Sequence, residues 1–226
     1  MIFAEDEIVG FARRLMEPVV GSDCRARFFL AGGAFKTLLT DRPPRDLDLW
    51  APTERDRDIL LESLMRRGRT SPREAPFADA FEVGERVVEL VHEVGPESLE
   101  CRLGRFDIAL SAIGAEHHPG NRWGSIVHPL ARTSVELRQV LLLKPLVNWK
   151  YALATLERMR RYAQELGFSI PPGEEAAIWS VFDNQPRDQK QRMLQRYERT
   201  GLGISGVREE AQRRMGNDDL ADCRSH

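Results

Sequence analysis

Two acidic residues in a short apolar run carry the first chemical signal in this chain. Asp46 and Asp48 are separated by one residue in the sequence Asp-Leu-Asp-Leu-Trp over 46–50. If this run is a strand, both carboxylates leave the same face and repel each other unless a cation lies between them. Oxygen ligands of this kind suit Mg²⁺ that is held together with substrate phosphates. The pair therefore predicts a magnesium site.

A pair of glycines precedes these acids. Gly32 and Gly33 follow the apolar run 28–31 and open a segment with helical periodicity. A strand, a glycine turn and a helix N-terminus together form a phosphate site, because backbone N–H groups there lack partners and the helix dipole favours anions. A phosphate site beside metal-binding carboxylates predicts phosphoryl or nucleotidyl transfer from a nucleoside triphosphate (NTP).

The stretch 31–50 resembles the nucleotidyltransferase superfamily, in particular the head domain of CCA-adding enzymes and bacterial poly(A) polymerases. These proteins carry Gly-Gly-x-x-Arg, a short helix, a loop and then Asp-x-Asp. Lys36 stands at the position of the arginine, so the cation is kept, whereas Thr37 stands where the family often has an acid. The resemblance implies an α+β fold with a polymerase-β-like head, in which helices flank a short mixed sheet, followed by a small helical region.

The resemblance also implies a third carboxylate on a neighbouring strand, for which the sequence offers two candidates. Glu89 lies in the apolar run 87–91, where an acid is costly to bury unless it is paired or bound to metal. Asp107 matches the aspartate of a family motif associated with the sugar of the incoming nucleotide, and Ser111 replaces its asparagine. We prefer Glu89 as metal ligand and Asp107 as nucleotide contact, but Asp107 would be the ligand if 105–113 were the adjacent strand.

A later helical segment, 156–170, resembles a second family motif, Leu-Arg-Ala-x-Arg-Phe-Ala-x-x-Leu-Gly-Phe-x-Ile. Arg158 and Arg161 match its two arginines and lie on one helix face, since they are three residues apart. The guanidinium fork can bind triphosphate oxygens in a bidentate manner. The resemblance therefore implies that these arginines contact the nucleotide, together with Gly32, Gly33 and Lys36.

The family motif that reads the nucleotide base is missing. Its Glu-Asp-x-x-Arg falls on Tyr151, Ala152 and Thr155, which cannot read the hydrogen-bonding edge of a base. The acceptor is therefore open among an RNA or tRNA 3′ end, a protein hydroxyl and a small molecule. The basic segment 187–199 is typical of a solvated helix face, which could also hold an RNA phosphate backbone.

Two functions are consistent with these residues. The first is an Mg²⁺-dependent nucleotidyltransferase that moves an NMP from an NTP to a hydroxyl acceptor, with two ions held by Asp46, Asp48 and either Glu89 or Asp107. The alternative is a catalytically degenerate protein that binds a nucleotide or a partner on the same fold. The residues at 36 and 37 and the missing base-reading motif favour this alternative, whereas the intact Asp-x-Asp disfavours it.

Composition places limits on partners and compartment. The 226 residues carry a net charge of −2, so no global field attracts nucleic acid or an anionic membrane, and any nucleic-acid surface must be local. No apolar run approaches the length of a membrane span. The three cysteines, Cys24, Cys101 and Cys223, are odd in number and scattered. This pattern favours reduced thiols and a cytoplasmic location over a disulfide framework or a zinc site.

Hydrophobic periodicity predicts the elements that must position these residues. The expected helices cover 5–19, 33–40, 54–67, 134–144, 149–166, 174–182 and 186–199. The expected strands cover 27–31, 46–50, 80–83, 86–91 and 105–113, with loops at 69–78 and 114–125.

The capping residues and the order of elements complete the prediction. Thr53 is expected to cap the helix that follows it, and Gly167 to end another helix. The loop assignment places His117 and His118 at the surface. We expect a nucleotidyltransferase head over 1–130 and a helical, neck-like region over 131–226, whose last ten residues are disordered.

Overall fold

The computed structural model describes residues 3–40, 42–72, 75, 77–146, 148–199, 203 and 205–222, with side chains described as far as residue 216. The chain divides into two compact units, Met1–Val135 and Glu136–His226. Within the described ranges, all seven strands belong to the first unit, and the second unit is helical. No helix of the described residues is both long and apolar enough to cross a bilayer.

The first unit combines a seven-stranded sheet with helices. Short 3₁₀ helices cover Phe35–Leu39 and Ala109–Ser111. The main elements are α1 (Glu5–Val20), β1 (Phe28–Ala31), β2 (Asp46–Trp50), α2 (Glu54–Arg67), β3 (Arg69–Thr70), β4 (Ala78–Val83), β5 (Arg86–Val91), α3 (Leu99–Leu103), β6 (Ile113–His118), β7 (Arg122–Val127) and α4 (Pro129–Glu136).

The strand order in the sheet is β3-β4-β5-β2-β1-β6-β7. The pair β2–β5 is parallel, and the other neighbouring strands are antiparallel. A parallel pair needs a crossover, which here is the segment 51–85 with α2 and the strands β3 and β4. The predicted α+β fold with a mixed sheet is thereby confirmed.

Several local predictions agree with the structure. Helix α2 begins after Thr53, whose side-chain oxygen accepts a hydrogen bond from the Asp56 N–H at 3.1 Å. The hairpin β4–β5 turns at Gly84, which has a φ of +61°. Both features follow from local chemistry, since Thr caps helices and glycine tolerates positive φ at tight turns.

One face of the sheet is apolar and is covered by helices. Leu47 and Leu49 on β2 and Leu90 on β5 are fully or almost fully buried on this face. Asp79 on β4 is in register with Leu90, and its carboxylate forms an ion pair with Arg57 of α2. The ion pair therefore identifies this face as the one against which α2 packs.

The opposite face is partly covered by α3, at a glycine of β6. A Cβ atom at Gly114 would lie 2.8 Å from Leu99 Cδ1, 3.2 Å from Leu103 Cδ2 and 3.1 Å from the Leu30 carbonyl oxygen. Real Cβ contacts are longer than this, so a side chain would force α3 away from the sheet. Gly114 therefore fixes the close approach of α3 to β6.

The strand predicted over 105–113 is wrong, and so is the loop over 114–125. Residues 104–112 form a turn and the short 3₁₀ helix, and the next strand, β6, begins at Ile113. The loop region is in fact the hairpin β6–β7, in which β6 pairs with β1 from Phe28 to Ala31. Tertiary pairing with β1 overrides the glycine, proline and asparagine residues that suggested a loop.

His117 is therefore buried rather than at the surface, with a side-chain environment that is largely aromatic. Its ring stacks on Phe28 at 4.8 Å and meets Trp123 edge-on at 5.0 Å. Nδ1 lies 2.9 Å from the Ala26 carbonyl oxygen, which assigns the proton to this nitrogen. Burial lowers the pKa of His117 from its ordinary value, and the hydrogen bond to Ala26 opposes that shift. The neutral form is the one that the fold holds.

The described part of the second unit contains a short 3₁₀ helix, Trp149–Tyr151, and four α-helices that begin within it: α5 (Ala152–Leu166), α6 (Pro172–Asp183), α7 (Arg187–Glu198) and α8 (Val207–Asp222). Gly167 ends α5 in the left-handed conformation, as predicted. The helix predicted over 134–144 is wrong beyond residue 136, because the backbone of Arg138 and Val140 hydrogen-bonds with that of Ser169. Of the tail predicted to be disordered, 217–222 belong to α8, and 223–226 lie outside the described residues.

A buried carboxylate lies inside this second unit. Glu157 on α5 is fully buried, and its Oε2 accepts hydrogen bonds from the Tyr197 hydroxyl at 2.6 Å and from the Ser205 hydroxyl. Burial and the neighbouring Glu157 raise the pKa of Tyr197. The tyrosine therefore remains a hydrogen-bond donor, which a buried carboxylate requires.

Substitution of Gly114 tests the packing of α3. We expect Gly114→Ala to lower the free energy of unfolding by about 1–3 kcal/mol, the usual cost of overpacking a core. Gly124→Ala is the control, because a Cβ there meets no atom of the described residues within 4 Å. Its effect should stay within about 0.5 kcal/mol in urea unfolding. Equal stability of the two variants would contradict the proposed packing.

The buried His117 predicts a dependence of stability on pH. Since the folded protein holds the neutral ring, its contribution is complete above the ordinary pKa of 6.5 and is lost as the pH falls below that value. Urea unfolding at about pH 7.5 and about pH 5.5 should show a loss for the wild type. His117→Gln keeps a donor for Ala26 and does not titrate, so its loss should be smaller. An identical loss in both proteins would remove His117 as the cause.

Candidate active site

The two predicted acids lie on one face of β2. Leu47 and Leu49 point into the core, and Asp46, Asp48 and Trp50 alternate with them on the other face. This alternation follows from the period of two residues in a strand. The acids are half-buried rather than solvated, since they lie near the centre of the sheet.

The parallel partner of β2 adds a third carboxylate. Asp48 is in register with Glu89 of β5, and Asp46 is in register with Val87. Residues in register on neighbouring strands share a face, so Asp46, Asp48 and Glu89 lie together on the polar face of the sheet. Like charges at neighbouring positions destabilise a sheet unless a cation compensates them. The arrangement is therefore suited to cation binding.

Asp107 occupies a different position. It lies at a bend between α3 and the 3₁₀ helix Ala109–Ser111, and it is half-buried. It is therefore on neither of the strands adjacent to β2, which are β5 and β1. The preceding residue, Phe106, lies close to the glycine turn, and the Gly32 N–H donates to the Ile113 carbonyl at 3.4 Å. The segment that carries Asp107 thus borders the turn.

The glycine turn approaches the carboxylates closely. Gly32 has a φ of +98°, and a Cβ atom there would lie 3.2 Å from Asp48 Oδ2 and 3.7 Å from the Phe106 ring. Both the backbone conformation and the limited space therefore favour glycine. This approach brings the turn and the acid pair, which are separated in sequence, into one site.

The segment after the turn differs from the predicted helix. Only a 3₁₀ helix of five residues, Phe35–Leu39, forms where 33–40 was expected. Such a short helix adds little dipole, so an anion at this turn would depend on individual N–H groups and on side chains. Lys36 lies half-buried on this 3₁₀ helix. Thr37 is buried, and its hydroxyl donates to the Ala34 carbonyl at 2.6 Å, which is a hydrogen bond within the turn itself.

The donor set fits Mg²⁺, although the side chains are not gathered around a common point. Three carboxylates on one face are the hard oxygen ligands that Mg²⁺ prefers. Across the described ranges, however, no group of three or more His, Cys, Asp or Glu side chains forms a metal-binding cluster. Asp46 Oδ2 instead pairs with Arg45, with Nη2 at 2.9 Å and Nε at 3.0 Å. A cation would compete with Arg45 for Asp46.

Three residues beside the acids, Trp50, Arg102 and Phe106, were not predicted as site residues from the sequence. Arg102 of α3 is 3% exposed, and its guanidinium lies 3.9 Å from the centre of the Trp50 ring. Phe106 meets the same ring edge-on at 6.3 Å. Trp50 could have been placed at the site, because it continues the two-residue alternation of Asp46 and Asp48. Arg102 gives no such signal, since its position depends on how α3 packs.

The remaining predicted residues belong to the second unit. Arg158 Nη2 lies 3.5 Å from Thr155 Oγ1, and Arg161 Nε lies 3.8 Å from Glu165. Both arginines are half-buried on α5. Their contact with a nucleotide stays a prediction.

The basic segment of α7 is not a uniformly solvated face. Lys190 is 4% exposed, and its ammonium group lies 5.8 Å from the centre of the Phe182 ring. Arg192 is exposed and is paired with Asp188 one turn earlier. The prediction of a solvated face is therefore wrong for Lys190, because helix packing turns it inward.

Comparison with known proteins gives structural matches. No protein-family model and no curated protein matches the sequence. The chain is similar to a CCA-adding enzyme in an apo form (TM-score 0.64, 16% identity, 97% of this chain and 55% of that chain). It is also similar to a tRNA nucleotidyltransferase complexed with a primer tRNA and an incoming ATP analogue (TM-score 0.55, 18% identity, 88% and 62%). The Bacillus stearothermophilus CCA-adding enzyme in complex with CTP is a further match (TM-score 0.52, 18% identity, 84% and 48%).

These matches establish the fold. The chain has a nucleotidyltransferase fold that resembles the head domain of CCA-adding enzymes, as the sequence motifs predicted. The chain spans little more than half the length of the first solved structures that it matches.

The contact between Gly32 and Asp48 can be tested by a double-mutant cycle. Gly32→Ala should destabilise the protein by about 1–2 kcal/mol for the positive φ, with a further loss from the Asp48 carboxylate. In an Asp48→Ala background, this further loss should disappear. Gly84→Ala is the control, because it has a φ of +61° and no described atom within 4 Å of its Cβ. Additive effects of Gly32→Ala and Asp48→Ala on urea unfolding would contradict the contact.

Proposed function

We propose that this protein is an Mg²⁺-dependent nucleotidyltransferase that moves an NMP from an NTP to a hydroxyl acceptor. The observation that supports this most strongly is the register of Asp48 with Glu89 on the parallel pair β2–β5. Together with Asp46, these residues offer three carboxylates on one face, beside a glycine turn that approaches Asp48. The nucleotidyltransferase fold of the structural matches supports the same activity.

The reaction joins the acceptor oxygen to the α-phosphorus of the NTP. A new phosphorus–oxygen bond forms, the bond to pyrophosphate breaks, and the hydroxyl proton is released. When bound, Mg²⁺ would lower the pKa of the attacking hydroxyl and compensate the negative charge of the phosphates. Asp46, Asp48 and Glu89 would hold the two ions. Asp107 borders the glycine turn and would contact the sugar of the nucleotide.

The phosphate groups need donors as well as metal ligands. The backbone of the turn at Gly32 and Gly33 and the ammonium group of Lys36 would stabilise charge on the departing pyrophosphate. The sequence motif of α5 predicts that Arg158 and Arg161 contact a phosphate group, because the guanidinium fork matches phosphate oxygens. Both arginines belong to the second unit, and their contact with a nucleotide stays a prediction.

The acceptor proposed first is an RNA 3′ end, with tRNA as the probe. The matched solved structures are named as tRNA-processing, tRNA nucleotidyltransferase and CCA-adding enzymes, which supports this choice. A protein hydroxyl and a small molecule are the competing acceptors. Ala152 and Thr155, at two positions of the family base-reading motif, are fully buried, so base selection would need other residues.

Free Cys24 and Cys101 support a cytoplasmic location.

A binding protein without catalysis is the second candidate. The observation that favours it is the ion pair between Arg45 and Asp46, which occupies one of the proposed metal ligands. Such a protein would bind a nucleotide or a partner with the same fold. It would not release pyrophosphate.

Labelled nucleotides separate these functions. The protein is incubated with Mg²⁺ and each α-labelled NTP in turn, with total tRNA, with cell lysate and alone. Transfer of label to RNA, protein or a small molecule identifies the acceptor class and the base. Nucleotide binding without transfer under any condition would overturn the enzymatic proposal in favour of the binding protein.

Removal of either paired acid should abolish transfer. We expect Asp46→Asn and Asp48→Asn each to lower the rate of transfer at least about 100-fold. Each carboxylate would hold the metal ions, which stabilise the charge of the transition state by several kcal/mol. Glu82→Gln is the control, because this acid of β4 lies on the same face of the sheet as Asp46 and Asp48 and is paired with Arg69 at 2.6 Å. It should retain wild-type activity. Full activity of Asp48→Asn would exclude the metal mechanism.

A further inference from the structure

Arg102 is a buried cation that contacts β2 and the loop that follows β5, the two strands that carry the acids. Its guanidinium lies 3.9 Å from the centre of the Trp50 ring, and Trp50 follows Asp48 by two residues on β2. Nη2 donates to the Gly95 carbonyl at 2.5 Å, and Nη1 lies 3.5 Å from Glu93. Both of these partners belong to the loop that follows β5.

The same loop is attached to the end of β2. The Gly95 N–H donates to the Ala51 carbonyl at 2.9 Å, directly after Trp50. The carboxyl ends of β2 and β5 are therefore joined through this loop, and Arg102 binds the junction from α3. Since α3 packs closely against β6 at Gly114, the guanidinium extends from an element whose position is set by this packing.

Burying a guanidinium at this position costs desolvation free energy. At 3% exposure it loses most of its hydration, and burial lowers the pKa of Arg102 despite the nearby Glu93. An aliphatic side chain would fill the same space without this cost. What the guanidinium adds is a planar fork that stacks on an aromatic ring and donates to two acceptors at fixed angles. These properties serve positioning rather than burial.

We infer that Arg102 is a positioning residue that fixes the separation of Asp48 and Glu89 and thereby sets the affinity of the site for divalent cations. It does so by holding Trp50 at the end of β2 and the loop 93–95 that follows β5. Its positive charge excludes Arg102 as a ligand of the cation, so its role is to position the residues around it. This inference rests on the proposed function, since it assigns a purpose to the spacing of the proposed metal ligands.

The test measures Mn²⁺ binding directly, by electron paramagnetic resonance of free Mn²⁺, together with urea unfolding. Arg102→Met should weaken Mn²⁺ binding about tenfold, the lower end of the loss seen when residues that support metal ligands are removed. Arg102→Lys keeps the charge without the planar fork and should weaken binding as well. It also serves if Arg102→Met fails to fold.

Arg57→Met is the matched control. Arg57 is a half-buried arginine of the same unit, with its side chain 15% exposed, but it pairs with Asp79 on the opposite face of the sheet. We expect it to lose stability as Arg102→Met does, with an unchanged affinity for Mn²⁺. Equal weakening of Mn²⁺ binding in Arg57→Met would overturn the inference, because general destabilisation would then explain the effect.

The remaining outcomes separate this inference from the proposed function. If Asp48→Asn loses Mn²⁺ binding while both Arg102 variants bind as the wild type does, the positioning role is wrong and the proposed function stands. If the wild-type protein binds no Mn²⁺ with or without an NTP, the proposed function fails, and the inference fails with it.

Discussion

The parallel pairing of β2 with β5 is the constraint on which the rest of the first unit depends. It places Asp48 beside Glu89 near the centre of the sheet, where two like charges oppose the stability of the pair. The apolar residues on the other face of the same strands compensate for this cost. Leu47, Leu49 and Leu90 are buried there, in the face against which α2 packs. One face thus provides stability, and the other can carry charge.

Close backbone approaches decide which part of the polar face stays available. At Gly114, the absence of a side chain lets α3 cover β6. At Gly32, the same absence lets the turn reach the carboxylate of Asp48. Phe106, whose ring lies near Gly32, packs edge-on against Trp50 on the strand that carries the acids. The shape of the site is therefore set by residues that have little or no chemistry of their own.

The sequence predicted those parts of the structure in which local chemistry and tertiary packing agree. Helix α2 with its Thr53 cap, strand β2 and the hairpin β4–β5 fall in this class, because periodicity, caps and turn residues all indicate the same elements. The choice of the neighbouring strand could not be made from sequence. Both 86–91 and 105–113 are apolar runs with one acid, and only the pairing in the sheet distinguishes Glu89 from Asp107.

Other residues were beyond reach of the sequence for a similar reason. The sequence of β6 and β7 contains turn formers, so these strands depend on the pairing of β6 with β1 and of β7 with β6. His117 of β6 is buried in this arrangement. Arg102 was not identified, because an arginine on a short helix is normally solvated. Its burial results from the packing of α3, which no local sequence pattern predicts. The same holds for Lys190, which α7 directs inward.

The length of the crossover has a consequence for how the molecule acquires its site. The hairpin β4–β5 closes over a few residues and can form early. By contrast, pairing β2 with β5 closes the segment 51–85, which costs more conformational entropy because the loop is longer. Contacts of such sequence separation form late and slow the folding of a domain. Glu89 should therefore join Asp46 and Asp48 in one of the last steps of folding. Partly folded chains would keep Glu89 apart from the two acids of β2, so the repulsion between Glu89 and Asp48 arises only once the rest of the domain has formed.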